Sequence, residues 1–299
     1  MAASPTAQGG PNSLLIGVLS GLTVVAVWSG FIVLSRAGVT GGLTPYDLTA
    51  LRFGVVGAVM IPTTLAWWPR NLSLAKALLL GATGPGVIYS LFAYSGLERA
   101  PAAYAGVFSN GMLPIFTATF AYFLVGHRLG PRGMFGIVVI LAGCALLGLF
   151  DVEHVGDRAL SGALLLLCSA AVLSAYMVGV RMWSLAPRQA LAVISLPNAI
   201  VFLPLWYFFL PSTMAQADMG DIVLQGLFQG LGPSFAAVIA FALAIRNLGP
   251  TPTAGISALV PAAATLLAIP VLGEWPSPVQ WAGVAVVSVG LALLLWRRA

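Results

Sequence analysis

Ten apolar runs, each about 20 residues long, leave this chain one class of fold. A run of that length crosses the hydrocarbon core of a bilayer as a helix. The runs are Leu14–Leu34, Pro45–Trp68, Leu74–Leu97, Pro101–Val125, Gly133–Phe150, Leu160–Val180, Pro187–Leu210, Ile222–Ile245, Pro250–Leu272 and Pro278–Trp296. Their connections are short. Pro101, Pro187, Pro250 and Pro278 stand where a helix's first turn has no use for an N–H. The expected fold class is an all-α membrane protein with ten transmembrane helices. Charged residues make up 7% of the 299, against about 25% in a soluble domain. The net charge of +5 is spread over scattered Arg and Lys, with no patch to track phosphates, so no nucleic-acid partner is expected.

The charges orient the chain. With the N-terminus in the cytoplasm, Arg70, Lys76, Arg128, Arg132, Arg181, Arg188, Arg246, Arg297 and Arg298 lie on the cytoplasmic side, and Arg36, Arg99 and Arg158 outside. The positive-inside rule then predicts a plasma (inner) membrane protein of bacterial type with both termini cytoplasmic. Residues 1–13 lack the basic stretch of a signal peptide and read as a flexible tail. Cys144 and Cys168 read as small buried hydrophobes. His127 and His154 fall in polar connections with no second ligand nearby, so neither a metal nor a cofactor is expected.

The chain also matches itself. A shift of 147 superposes Arg99 on Arg246, Pro114 on Pro261, Gly126 on Gly273, Gly136 on Gly283 and Gly143 on Gly290. A shift of 145 brings Ser29 to Ser174, Phe31 to Tyr176 and Arg36 to Arg181; a shift of 142 brings Pro45 to Pro187 and Pro62 to Pro204. The shifts change only at connections, where insertions are tolerated. The organisation read from this is a tail over 1–13, one five-helix repeat over 14–150, a polar linker over 151–158 and a second repeat over 159–299. Five spans is an odd number, so the second repeat enters the membrane inverted, an architecture of many secondary transporters.

The stretch VWSGFIVLSRAGVTGGLTPYDLTALRF, with Trp28, Pro45 and Leu51-Arg52-Phe53, resembles the opening of an EamA-type repeat. GLERAPAAYAGVFSNGMLPIFTATFAYFLVGHRLGPRGMFGIVVILAGCALL is similar to that repeat's last two helices, as is LAIRNLGPTPTAGISALVPAAATLLAIPVLGEWPSPVQWAGVAVVSVGLALL. Gly273-Glu274 matches the family's usual Gly-Glu, whereas the first copy has His127 there, and the second copy lacks the Trp and the Leu-Arg pair. The resemblance implies the drug/metabolite transporter superfamily, and within it the layout is most similar to the YddG-type exporters, which carry amino acids.

Helix breakers recur at midspan: Gly84, Pro85 and Gly86 in the third run, Gly111 and Pro114 in the fourth, Gly230, Gly232 and Pro233 in the eighth, and Pro261 in the ninth. A proline inside a helix frees a carbonyl and kinks the helix. In hydrocarbon such backbone is tolerated only against protein or a water-filled cavity. Gly84, Pro85, Gly86, Pro114, Gly232, Pro233 and Pro261 are therefore read as kinks or hinges beside a central cavity. The competing reading is that Gly and Pro simply aid close packing. Polar and aromatic residues near midspan are the candidate lining: Trp28, Ser29, Tyr89, Ser90, Tyr94, Asn110, Ser174, Tyr176, Met177, Gln229, Ser234 and Ser257. Such groups hold a zwitterion by hydrogen bonds and an ammonium by aromatic faces. For each Ser or Tyr an interhelical hydrogen bond is the alternative. Arg52 lies about 10 Å inside its span at 1.5 Å per residue and reads as structural, snorkelling outward or paired with Asp47 or Glu98. Gly136/Gly143 and Gly283/Gly290 read as a close packing of the fifth and tenth spans.

The function expected is a secondary transporter that exports amino acids or similar small metabolites by alternating access. Export of drugs or organic cations, or of another metabolite, is the alternative. The partners are the small-molecule substrate and the lipid bilayer, with a monomer expected and a homodimer the alternative. No GxxxxGK[ST] sequence is present to hold ATP. No HExxH, Ser–His pair or paired Asp lies within a span, so an enzyme is not expected. A passive channel is disfavoured by the midspan breaks.

Overall fold

The computed structural model describes residues 11–126, 130–150, 152–248 and 250–295. All regular elements among these residues are helical, and nine helices are long and apolar enough to cross a membrane, with Pro278–Leu294 a shorter apolar helix. Span 1 is Pro11–Thr40 and span 2 is Pro45–Trp67. Span 3 comes in two pieces, Leu74–Thr83 and Val87–Arg99. Span 4, Ala102–Leu124, contains a π-helical segment at Ala105–Gly111. Span 5 is Pro131–Phe150, span 6 is Val152–Met182 and span 7 is Pro187–Phe209. Span 8 runs through Met219–Leu231, a π-helical Gly232–Ala236 and Ala237–Leu248. Span 9 is Pro250–Ser257 followed by Val260–Leu272, and span 10 is Pro278–Leu295. The expected tail lies outside the described residues up to residue 10, and from Pro11 the chain is already helical. Residues 152–155, read as part of a linker, are a helical turn that bends into span 6 at Gly156, where φ is 72°.

The connections are too short to recross about 30 Å of hydrocarbon, so successive spans run antiparallel. Span 1 starts, and span 10 ends, on what we term the near face; the opposite face is the far face. The two sets of five spans use the same local devices. Span 2 opens with Thr44 N–H donating to Asp47 Oδ2 at 3.1 Å, and span 7 with Ala186 N–H donating to Gln189 Oε1 at 3.0 Å. Spans 4 and 9 close on left-handed glycines, Gly126 at φ 70° and Gly273 at φ 68°. A residue with a Cβ is strained in that conformation, which is why a glycine closes both helices.

Packing repeats across the two halves as well. Span 1 packs on the second pieces of spans 8 and 9, and span 6 on the second pieces of spans 3 and 4. Span 2 packs on the first piece of span 8, and span 7 on the first piece of span 3. Each half therefore exchanges neighbours with the other, as inverted repeats do. Across the breaks the principal neighbour changes: the first piece of span 3 packs most on span 7 and the second on span 6, and the first piece of span 8 packs most on span 2 and the last on span 1. Span 10 lies along span 5, and spans 2 and 7 pair similarly.

Glycine makes the contact of spans 5 and 10 possible. A Cβ at Gly136 would stand 2.8 Å from Leu294 N, one at Gly143 would stand 2.6 Å from Val287, and one at Gly290 would stand 2.7 Å from Ile140. Small residues let backbones approach where lipid supplies no hydrophobic drive between helices. Leu and Phe cover much of the outside, among them Leu65, Phe123, Leu149 and Phe209, all exposed. A membrane helix turns such side chains toward lipid. Cys144 is buried as expected, but Cys168 is exposed, because its face of span 6 meets no neighbour.

Candidate functional site

The break in span 3 is a full interruption of the helix. Gly84 and Gly86 are extended, with ψ of −159° and −163°. Pro85 has no N–H to give the Gly81 carbonyl. Asn198, buried on span 7, donates from Nδ2 to Gly81 O at 2.9 Å and accepts from Val87 N–H at 3.3 Å through Oδ1. One amide thus satisfies both backbone groups that the break exposes. The fit is close: a Cβ on Gly86 would overlap the Gly81 carbonyl, and one on Gly84 would meet the Tyr176 ring at 2.8 Å. In span 8 the corresponding Gly232-Pro233-Ser234 only loosens the helix into a π turn. Such turns recur at functional sites in helices.

Past the break, spans 1, 2, 3 and 8 meet around Arg52. This arginine is 3% exposed. Its guanidinium lies 5.6 Å from the ring centre of Phe31 and 6.0 Å from those of Phe53 and Tyr89. Phe31 stacks on Tyr89 at 6.3 Å and tilts against Tyr94 at 5.9 Å. Tyr94 donates to Gln229 Oε1 at 3.2 Å. Gln229 Nε2 donates to Ser35 Oγ at 3.0 Å and to Gln225 Oε1 at 3.1 Å, and Gln225 donates to Leu34 O at 2.7 Å. The Arg52 Nη1 and the Ser90 hydroxyl are buried without a partner. Arg52 therefore neither snorkels nor pairs with Asp47 or Glu98. Asp47 is spent on Trp206 Nε1 at 2.9 Å, Ser212 Oγ at 2.6 Å and Thr213 N–H at 3.0 Å.

An ion pair joins helix ends at the far face, beyond this cluster. Arg36 Nε meets Glu274 Oε1 at 2.7 Å, and its Nη1 donates to Leu97 O at 2.5 Å. The other carboxylate oxygen of Glu274 accepts from Ala102 N–H at 2.9 Å, capping span 4. Four spans join at this ion pair. The repeat mate of Arg36 is Arg181, which is exposed; His127, the mate of Glu274, lies outside the described residues.

Toward the near face a hollow of about 320 Å³ opens beside Trp28, which stacks on Phe241 at 5.9 Å. Pro187, Pro233, Ala237, Val238, Ala242 and Ile245 line the rest, an apolar set in which Val238 and Ile245 are exposed. A larger groove of about 610 Å³ follows the outer face of span 8 past Val223, Leu224 and Leu227. It offers no polar side chain, and its lining is exposed apolar surface, so it is a lipid-facing groove and we do not count it as a site.

The candidate lining residues therefore fall in several places. Tyr89, Ser90, Tyr94 and Gln229 belong to the elements around Arg52. Trp28 and Pro233 belong to the near hollow. Ser174 donates to Leu113 O at 2.9 Å, Ser29 to Ala26 O at 3.3 Å and Ser257 to Thr253 O at 3.0 Å, so these hydroxyls are engaged by backbone. Asn110 is half-buried in the π segment of span 4, one turn before Pro114, and Ser234 is half-buried in that of span 8. Tyr176 packs on Gly84, Met177 is exposed, and Pro261 opens the second piece of span 9. Sequence reasoning did not single out Asn198, Gln225 or Ser35. A lone amide in the apolar ISLPNAIVF was the available signal for Asn198.

The sequence profile of the EamA-like transporter family matches residues 15–149 and again 160–296. The chain belongs to the EamA-like transporter family. Among its EamA-like relatives, the aromatic amino acid exporter YddG of Ancylobacter novellus is 28% identical over 291 residues, covering 94% of this chain and 98% of that protein. The uncharacterized transporter YwfM of Bacillus subtilis is 27% identical over 270 residues, covering 86% and 88%. A solved crystal structure, 26% identical, superposes with a TM-score of 0.62 over 93% of this chain and 95% of its own. This EamA-like protein is thus an integral membrane transporter, with lipid around it and a small molecule as its cargo.

Proposed function

We propose that the chain is a secondary transporter that exports amino acids or similar small metabolites by alternating access. We place it in a bacterial-type inner membrane with both termini cytoplasmic, on the charge bias of its connections. The observation that carries the mechanism is an asymmetry of closure. The Arg36–Glu274 pair ties four spans at the far face, while the near face has a hollow reaching Trp28. A carrier closed on one face and open toward the other has this form. Across the breaks in spans 3 and 8 each helix changes its principal neighbour, which supports motion of one piece against the other. The name of the similar YddG protein supports amino acids as cargo.

Counterflow in proteoliposomes tests this reading. Vesicles loaded with unlabelled amino acid are expected to accumulate the labelled form transiently and saturably. Flux that never saturates would instead mean a channel, and silence toward every amino acid would leave drug or organic-cation export. Collapse of an imposed proton gradient reports on coupling. Replacing Tyr89, Asn110 and Ser174 singly by Ala is expected to change substrate affinity; unaltered transport in all three would sink the proposed path.

A further inference from the structure

Resting on the amino-acid reading above, we propose that Arg52 is the anchor for the carboxylate of the transported molecule. A buried cation is costly unless an anion and hydrogen-bond acceptors compensate it. Arg52 is 3% exposed, and its Nη1 has no partner. The ion pair Arg36–Glu274 does not involve Arg52. Asp47 and Glu274 are engaged elsewhere. Asp47 is saturated by Trp206, Ser212 and Thr213. Glu274 is held by Arg36 and Ala102. Glu98, at the end of span 3, makes no ion pair with Arg52.

What surrounds the guanidinium is mainly aromatic, with the Tyr94 hydroxyl among its polar neighbours. Phe31, Phe53 and Tyr89 present rings at 5.6 to 6.0 Å. Ring faces give a cation partial compensation but accept no hydrogen bond from Nη1. A planar fork of N–H groups in an apolar cage matches a carboxylate, which takes two parallel hydrogen bonds. The Ser90 hydroxyl, also buried and unpartnered, follows Tyr89 and sits one turn before Tyr94 on span 3. The stacked rings of Phe31 and Tyr89 offer apolar surface to the rest of the ligand. The far-face latch lies above this position, so an anion held at Arg52 is screened from the far side until Arg36 and Glu274 part.

The test uses the purified full chain and four probes: L-phenylalanine, L-phenylalaninamide, phenylacetate and phenethylamine. Binding is followed by calorimetry in detergent, and counterflow in proteoliposomes. The wild type is expected to bind the two carboxylates at least about tenfold more tightly than the amide and the amine, since a hydrogen bond to a charged group is being removed. Arg52→Gln is expected to lose that preference, and Arg52→Lys to keep a reduced one. An Arg52→Gln protein that keeps the wild-type preference overturns the proposal, as does a wild type that binds amide and acid equally. The second comparison stands even where Arg52→Gln does not fold. Competition by chloride or sulfate as effective as phenylacetate assigns the site to inorganic anions and overturns the carboxylate. Arg52-dependent binding of phenylacetate without amino-acid counterflow defeats the transport reading and leaves the anchor. Amino-acid counterflow untouched in Arg52→Gln does the reverse.

Discussion

Asn198 on span 7 binds the two free ends of the break at Pro85, taking the Gly81 carbonyl at 2.9 Å and the Val87 N–H at 3.3 Å. Removing that amide leaves a donor and an acceptor bare in a medium without water. Each unsatisfied buried group costs about 1–3 kcal/mol. Asn198→Ala is therefore expected to lower the melting temperature in detergent markedly, and Asn198→Asp, which keeps only the acceptor, to do likewise. A melting curve for Asn198→Ala that overlays the wild type would show that the break satisfies itself.

Gly86 bears on the same joint. A side chain there would overlap the Gly81 carbonyl and crowd Asn198 Nδ2 at 3.2 Å. Gly86→Ala is expected to yield little monodisperse protein. Gly255→Ala makes the control, because a Cβ at Gly255 meets nothing within 4 Å. Size-exclusion profiles of the two variants should differ; similar profiles would mean that the break relaxes to admit a methyl group.

The ten apolar runs and the glycine contact of spans 5 and 10 were legible in the sequence, because both depend on composition and spacing along one helix. The repeat pairs Gly126 with Gly273 in the sequence, but their left-handed caps appear only in the structure. The form of the breaks was not legible. Gly84-Pro85-Gly86 and Gly232-Pro233-Ser234 read alike, yet one is extended and the other a π turn. The missing Cβ at Gly86, together with an amide arriving from span 7, makes the difference. The setting of Arg52 was hidden for a related reason: its cage comes from spans 1, 2 and 3, and the carboxylate nearest in sequence, Asp47, is claimed by the connection after span 7. Ser29, Ser174 and Ser257 each bond a backbone carbonyl, an engagement that nothing local in the sequence announces.

Glu274 holds Arg36 and caps span 4 at once. Glu274→Gln keeps an oxygen for Ala102 but loses the ion pair. For a partly buried pair the loss is about 1–2 kcal/mol, which under the proposed alternating access changes the populations of open and closed far faces about five- to thirty-fold. Spin labels at Thr40 and Trp275, both exposed, should then report a longer distance population in the variant. An unchanged distance distribution would remove the latch role.

Asp47 is expected to matter for a reason unrelated to transport. Its carboxylate gathers Thr44, Trp206, Ser212 and Thr213. Asp47→Ala should free the connection between Phe209 and Met219 for limited proteolysis from the far face. Asp47→Asn should give an intermediate rate, because one of its two terminal atoms no longer accepts. Equal cleavage of wild type and Asp47→Ala would show that the connection is anchored elsewhere.

The amide of Asn198 also bears on how a broken membrane helix is read. Bare backbone in hydrocarbon ordinarily calls for a wet cavity to solvate it. Here the call is answered from a neighbouring span, so the joint in span 3 stays whole in a dry setting. Working it then means trading two hydrogen bonds for others rather than admitting solvent, and the first piece of span 3 is tethered to span 7 for as long as those bonds last.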